Sequence, residues 1–333
     1  MNPIEALGTT GKLHVMVVGD VMVDAYLIGE VNRISPEAPV PVVEVRARES
    51  RLGGAANVAR NVIALGASVE LASVIGNDEA GAMLIQKCQE QSIGTDAIFM
   101  DSNRPTTIKN RIISDGQHLL RVDEEVSVPL TDSAAQSLIQ GSLQRFEQQP
   151  PDVVIFEDYD KGVLTPWVIK TILDAANQRG IPTCVDPKFR QFSSYRNVTL
   201  FKPNLKELRE GLGLNGLNHE DNDELKRATE QLKETLRCSC VMVTLSERGV
   251  WVLDEQGHHH HLPAHPREIN DVSGAGDTVI ATASLLLAGG VHFKDCAAVA
   301  NLAGGLVCEK VGVVPIELER LKTEVLQMQL ASS

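Results

Sequence analysis

Residues 271–278 read DVSGAGDT, two glycines and an alanine set between Asp271 and Asp277, directly ahead of the apolar run VIATASLLLAGG. Two readings follow from these residue types. Structurally, glycines bend or cap a chain, and Asp277 starts a helix. Chemically, consecutive N–H groups at a helix N-terminus form an anion site, and a carboxylate beside it can serve as a base. If the amides around Gly274, Ala275 and Gly276 open the helix, they point at an anion that gains charge during phosphoryl transfer, and Asp277 accepts the hydroxyl proton. Asp271 then sits on the rim as a sugar or loop contact.

More polar groups follow apolar runs elsewhere. The first such run, HVMVVGD, ends at Asp20, with Asp24 close behind, and a helix entrance LGGAANVA follows at 52–59. Gly53 and Gly54 permit close backbone approach, and Asn57 offers a donor and an acceptor, a combination suited to sugar hydroxyls. FEDYDKG (156–162), VDPK (185–188), KPNLKE (202–207) and TLSERG (244–249) each put charged or hydroxyl residues just after an apolar run. Taken singly, these residues read as solvated turns, tight helix packing or surface salt bridges. Together they gather on one edge of a sheet, where open α/β folds bind ligands. Neither G-x-x-x-x-G-K-[ST] nor G-x-G-x-x-G is present, so P-loop and dinucleotide sites are not supported. The internal HHHH at 258–261 has no helical i, i+4 pair and follows a DEQG turn, which predicts an exposed loop rather than a metal site.

The elements that must carry these residues alternate. Short apolar, β-branched runs at 14–20, 68–76, 152–158, 181–187 and 240–246 are separated by segments of helical period at 57–66, 79–91, 166–180 and 222–237. That rhythm predicts an α/β fold whose mostly parallel sheet is covered by helices on both faces. Two stretches break it, about 23–46 and 104–125, and they predict small antiparallel strands with a turn at Asp115-Gly116. Such an insertion suits a lid over a site or a dimer surface. No internal repeat or linker divides the 333 residues, which predicts one domain over 1–333.

A net charge of −13 argues against nucleic-acid or anionic-membrane partners, which need a basic face. The opening MNPIEALGTTGKLHV carries no secretory pattern, and the longest apolar stretch is too short to span a bilayer. Six cysteines without C-x-x-C spacing read as reduced and buried, which fits the cytoplasm.

GGAANVARNVIALGASVELASVIGND and DVSGAGDT resemble the two signatures of the ribokinase-like, PfkB-type carbohydrate kinases, and KPNLKE resembles that family's N-x-x-E element. The resemblance spans essentially the whole chain. It implies Asp277 as base, the amides from Gly274 to Asp277 as anion hole, and Asn204 with Glu207 near Mg²⁺-bound phosphates, Glu207 acting indirectly on the metal. It also implies Thr244, Ser246 and Gly249 along ATP and Asn301 near the adenine. DVMVDAYLIGEVNRISPEAPVPVVEV, LGGAANVARN, DYDKGVLT and DPK are more specifically similar to the bacterial D-glycero-D-manno-heptose 7-phosphate kinases of lipopolysaccharide synthesis. The implied reaction moves the ATP γ-phosphoryl to O1, giving the 1,7-bisphosphate. Bifunctional members append a nucleotidyltransferase domain with H-x-G-H. This chain shows no such motif, so the kinase alone is expected.

A phosphorylated sugar bound by an acidic protein needs clustered cations. The candidates are Arg33, Lys109, Arg111, Arg121, Lys161 and Lys188, with Lys161 and Lys188 expected in the pocket. Glu157 departs from the small polar residue expected before the Asp-Tyr pair. A homodimer through the inserted strands is a further expectation. The competing readings are a PfkB-type kinase of another sugar and a non-catalytic sugar-phosphate sensor.

Overall fold

The computed structural model describes residues 1–214, 216–218 and 220–332. Helix α1 (Pro3–Thr9) precedes strand β1 (His14–Gly19), which is followed by β2 (Val21–Ile34), β3 (Pro41–Gly54) and α2 (Ala55–Ala64). Next come β4 (Ser68–Ile75), α3 (Glu79–Glu90), β5 (Gly94–Met100), β6 (Thr107–Ser114), β7 (Gln117–Glu124) and α4 (Asp132–Gln148). β8 (Val153–Glu157), α5 (Pro166–Gln178), β9 (Thr183–Asp186), β10 (Leu200–Phe201), α6 (Leu205–Leu212) and α7 (Asn222–Leu236) continue the alternation. β11 (Cys240–Thr244), β12 (Val250–Leu253) and β13 (His259–Leu262) then lead into α8 (Ala275–Ala288), α9 (Phe293–Cys308) and α10 (Leu318–Ser332).

The large sheet has nine strands in the order β13-β12-β11-β10-β9-β8-β1-β4-β5. It is parallel from β11 through β5, and β12 and β13 add an antiparallel edge. Every residue of β1 is buried because the sheet is covered twice. Val15, Val17 and Ile155 enter a core with α2, α8 and α9, while Met16, Val18 and Phe156 enter the opposite core with α4, α5 and α7. The six cysteines are free thiols, all buried. Among the described residues no helix is long and apolar enough to cross a membrane.

The two inserted stretches join in a second sheet of order β3-β2-β6-β7. The expected turn is present, with Asp115 and Gly116 both at positive φ between β6 and β7. The expectation of antiparallel strands needs one correction: β2 and β6 run parallel, with Met22 opposite Thr107. Helices α2 and α3 and strands β4 and β5 intervene between β3 and β6, and that crossover returns the chain in the direction of β2. The histidines are also corrected. Residues 259–262 form edge strand β13, with His260 opposite Val252. Period-two alternation explains it: His259 and His261 pack beside Trp251, and His258 and His260 turn to Asp254. Among the described residues no group of three or more His, Cys, Asp or Glu is disposed to hold a metal ion.

Candidate active site

Helix α8 begins where the sequence suggests, with Gly274 as its N-cap at φ +81°. That left-handed conformation suits glycine, and a Cβ there would come within 2.9 Å of Asn57 Nδ2. The Ala275 N–H turns back to the Val272 carbonyl at 3.3 Å. The N–H groups of Gly274, Gly276 and Asp277 donate to no acceptor among the described residues, so of the expected anion hole only the Ala275 amide is engaged.

Asp277 is buried, and both its oxygens are held. Asn57 Nδ2 donates to Oδ2 at 2.7 Å, and the Tyr159 hydroxyl donates to Oδ1 at 2.8 Å. Burial pushes its carboxyl up to about 6, against the two hydrogen bonds and Lys202, with Asp186 adding to the rise. One helical turn on, Asn61 Oδ1 accepts from Thr278 Oγ1 at 3.1 Å, so α2 and α8 are joined by two polar rungs. Asn57 Oδ1 is buried and has no partner.

Three adjacent strand ends supply the charged floor. Glu157 and Asp186 end β8 and β9, and Lys202 follows β10, all on the face that meets α8, as their neighbours Ile155, Cys184 and Leu200 are. Lys202 Nζ lies 2.7 Å from Asp186 Oδ2, and both are buried. Lys188 pairs with Glu207 and stands over the Tyr159 ring, 5.4 Å from its centroid. Burial alone would lower both lysines, but the facing carboxylates, Asp186 first, hold them above the ordinary value. Glu157 is the carboxyl left over: its Oε2 has no partner, and burial, then Asp186 and Asp277, push it well above the ordinary range. The N-x-x-E element has a local purpose as well. Asn204 and Glu207 form a reciprocal capping box for α6, with Asn204 N–H to Glu207 Oε2 at 2.7 Å and Glu207 N–H to Asn204 Oδ1 at 2.9 Å.

Asp20 has a role that the sequence does not reveal. Its carboxylate accepts the backbone N–H groups of Tyr159, Lys161 and Val163 at 2.8, 3.1 and 3.0 Å, so it pins the loop that carries Tyr159. Asp24 pairs with Arg111, and a Cβ on Gly53 would collide with Asp24 Oδ2. Gly54 is the N-cap of α2. Lys109 and Lys161 share Glu125 at 3.1 and 2.7 Å, linking the small sheet to the 159–163 loop. Arg33 and Arg121 are exposed on the small sheet, and Arg121 pairs with Asp123. Asp271 accepts from Ser273 N–H and Gly312 N–H at 2.9 and 2.8 Å, which is a loop contact.

Thr244 bridges to Asn204 and donates its N–H to the Pro203 carbonyl, so it lies beside the capping box. Ser246 and Gly249 form the next turn, with both at positive φ. Asn301 donates to the Pro263 carbonyl at 2.9 Å and fastens that segment to α9. Tyr159, Asp186 and Lys202 come to the site although sequence reasoning passes over them as candidates, and all three lie in the strand-end motifs. The only signal for them was position.

The pattern of the pfkB family carbohydrate kinases matches residues 12–319. The D-beta-D-heptose 7-phosphate kinase of Bordetella bronchiseptica is 43% identical over 313 residues, covering 94% of this chain and 96% of that protein. The bifunctional protein HldE of Magnetococcus marinus is 43% identical over 310 residues, covering 93% of this chain and 63% of that protein. The chain thus spans less than two thirds of the bifunctional relatives' length. In fold it is similar to phosphofructokinase-2 from Escherichia coli in complex with potassium, with TM-score 0.78 and 18% identity over 94% of this chain and 99% of that one. Arabidopsis thaliana ribokinase complexed with ribose and ATP gives TM-score 0.69 at 18% identity, over 93% and 98% of the two chains. With the family pattern matched over residues 12–319 and a relative 43% identical over nearly its full length, the chain belongs to the pfkB family of carbohydrate kinases.

Proposed function

We propose that this chain is one ribokinase-like kinase unit that transfers the ATP γ-phosphoryl to O1 of D-glycero-beta-D-manno-heptose 7-phosphate, a step toward ADP-heptose for the lipopolysaccharide inner core. The observation that carries the reaction type is Asp277, a buried carboxylate held by two donors beside the open amides of Gly276 and Asp277. Support for the substrate comes from the Bordetella relative, whose named substrate is a heptose 7-phosphate and which this chain matches over nearly its full length.

In this reading Asp277 removes the proton of the attacking hydroxyl, and a carboxyl set at about 6 is ionised at neutral pH while still able to take a proton. The free amides at α8 meet the charge that develops on the transferred group. Lys188 and Lys202 add positive charge on the same side. Asn57 Oδ1 accepts from a sugar hydroxyl. Asn204, Glu207, Thr244, Ser246 and Gly249 border the nucleotide, with Asn301 farther along.

Mg²⁺ fits the same place. Four carboxyl groups, Glu157, Asp186, Glu207 and Asp277, face two lysines, and one carboxyl oxygen lacks any partner. Mg²⁺ keeps most of its waters and needs only one or two protein carboxylates beside the phosphates. Glu207 would hold it through water, and the cation would offset phosphate charge. Exposed Ile34, Val45, Leu120 and Val122 on the small sheet suit a homodimer through that sheet, and light scattering showing only monomer at micromolar concentration removes this part. A cytoplasmic supply of ATP fits the reaction.

The test is a coupled ADP-release assay with Mg·ATP and the heptose 7-phosphate, run against ribose, fructose 6-phosphate and adenosine. The highest kcat/KM should fall on the heptose. A higher value for another sugar reassigns the substrate, and tight binding without turnover supports a sensor.

A further inference from the structure

Tyr159 meets the base directly, yet nothing in the signature motifs assigns it a task. Its hydroxyl is 2.8 Å from Asp277 Oδ1, its N–H is bound by Asp20 Oδ2 at 2.8 Å, and its ring lies under Lys188. The side chain is therefore fixed from three directions. Burial, then Asp277, Glu157 and Asp186, oppose loss of the phenol proton, so the hydroxyl remains a donor across the working pH range.

A second donor, Asn57, occupies the other oxygen. The groups facing Asp277 are Asn57 from α2, Tyr159 and Glu157 from the end of β8, Asp186 from β9, and Lys202 after β10. Two of these are carboxyls and favour the neutral acid. Lys202 already pairs with Asp186, which leaves the two neutral donors as the groups that touch the base itself.

We propose that Tyr159 is a positioning residue for the base: its hydroxyl, rather than its ring, aims the Asp277 carboxylate at the incoming sugar hydroxyl and favours its charged form. A donor to a carboxylate stabilises the anion, and holding one oxygen fixes the rotamer, so the remaining lone pairs point into the pocket. Asp20 is then part of the same device, because its carboxylate sets the backbone of the loop from which the phenol projects. The Lys109, Glu125 and Lys161 chain ties that loop to the small sheet.

This proposal rests on the kinase reading, and two measurements separate them. In the first, kcat/KM for the heptose 7-phosphate is followed against pH for wild type and Tyr159→Phe. The ratio of the two cancels titration of the substrate phosphate. The acidic limb of the variant should move up by about one pH unit, a loss of roughly 5-fold at pH 6 that largely recovers by pH 8.5. Incorporating 3-fluorotyrosine at position 159, a stronger donor with the native contacts, should move the limb down. A uniform loss with an unmoved limb overturns the proposal and leaves Tyr159 a packing role.

In the second, NMR follows the Asp277 carboxyl carbon, in protein labelled at aspartate, without any substrate. Its midpoint should rise in Tyr159→Phe; an unchanged midpoint also overturns the proposal. Absence of turnover in the wild type defeats the substrate assignment, while the NMR titration still decides the role of Tyr159.

Discussion

Asn57 Nδ2 lies 2.7 Å from Asp277 Oδ2, joining residues 220 positions apart at the facing N-terminal turns of α2 and α8. The amide therefore engages the Asp277 carboxylate with its nitrogen, while its oxygen is left without a partner. Asn57→Asp replaces the donor with a second carboxylate, and like charges this close cannot both ionise easily. Turnover at pH 7 should fall by about 10²-fold, with an acidic limb displaced upward by more than one unit. The kcat–pH profile checks it: a raised KM with an unmoved limb would assign Asn57 to sugar binding alone.

Asp277→Asn should lose about 10³-fold or more in kcat, since a general base contributes on the order of 10²–10⁴. The same change should stabilise the fold, and the sign follows from linkage. The folded carboxyl is raised to about 6 from 3.8, so the unfolded chain releases its proton first and stability is lost as pH rises through that interval. Above pH 7 the loss reaches at most about 3 kcal/mol, and the amide escapes it. Urea unfolding at pH 8 should favour the variant, with no advantage at pH 3.5.

Gly274 and Gly276 should fail in different ways. Gly274→Ala forces an L-residue into φ +81° and presses a methyl against Asn57, so the protein loses about 1–2 kcal/mol as well as activity. At Gly276 a Cβ would stand 3.6 Å from Asp186 Oδ2 and 3.8 Å from Lys202 Nζ, ordinary contact distances. Gly276→Ala should keep the wild-type melting temperature within about 2 °C and lose roughly 10²-fold in kcat/KM, because the methyl crowds an anion donor. Calorimetric melting beside the ADP-release assay distinguishes the two.

Lys202→Met strands Asp186 as a buried carboxylate without its cation. Removing one partner of such a pair costs about 3–5 kcal/mol, and Lys202→Met with Asp186→Leu should recover much of it. Because Lys202 is held above its ordinary value, the pair's contribution persists at neutral pH and fades only as pH rises beyond the lysine range. Denaturant midpoints at pH 7 for the single and double variants test this.

The α/β frame was legible because strands buried on both faces are nearly all apolar, β1 departing only at His14 and β8 only at Glu157. The place of Asp277 in the first turn of α8 was legible too, because glycines ahead of a long apolar run mark a helix start. Tyr159 and the Asp20 anchor were not, since each depends on which atoms meet across 118 and 139 or more residues. The parallel pairing of β2 with β6 was hidden by the long excursion between them. The histidine strand was misread because imidazoles look like loop residues until Trp251 is seen to receive every second one. Glu157 stood out as a departure in the sequence, and the structure gives that departure a physical form, a buried carboxyl with an oxygen unpaired.

Strand β3 runs from Pro41, at the outer end of the small sheet, to Gly54, where α2 begins, with one irregularity in its pairing at Arg46. Mechanically it is a lever whose short end is the helix that grips the base. Its 14 residues reach about 45 Å when extended, so a tilt of about 5° at the glycines sweeps the far end through roughly 4 Å. A contact that immobilises the outer end is therefore expected to slow hydrogen exchange in the first turn of α2, where Asn57 sits.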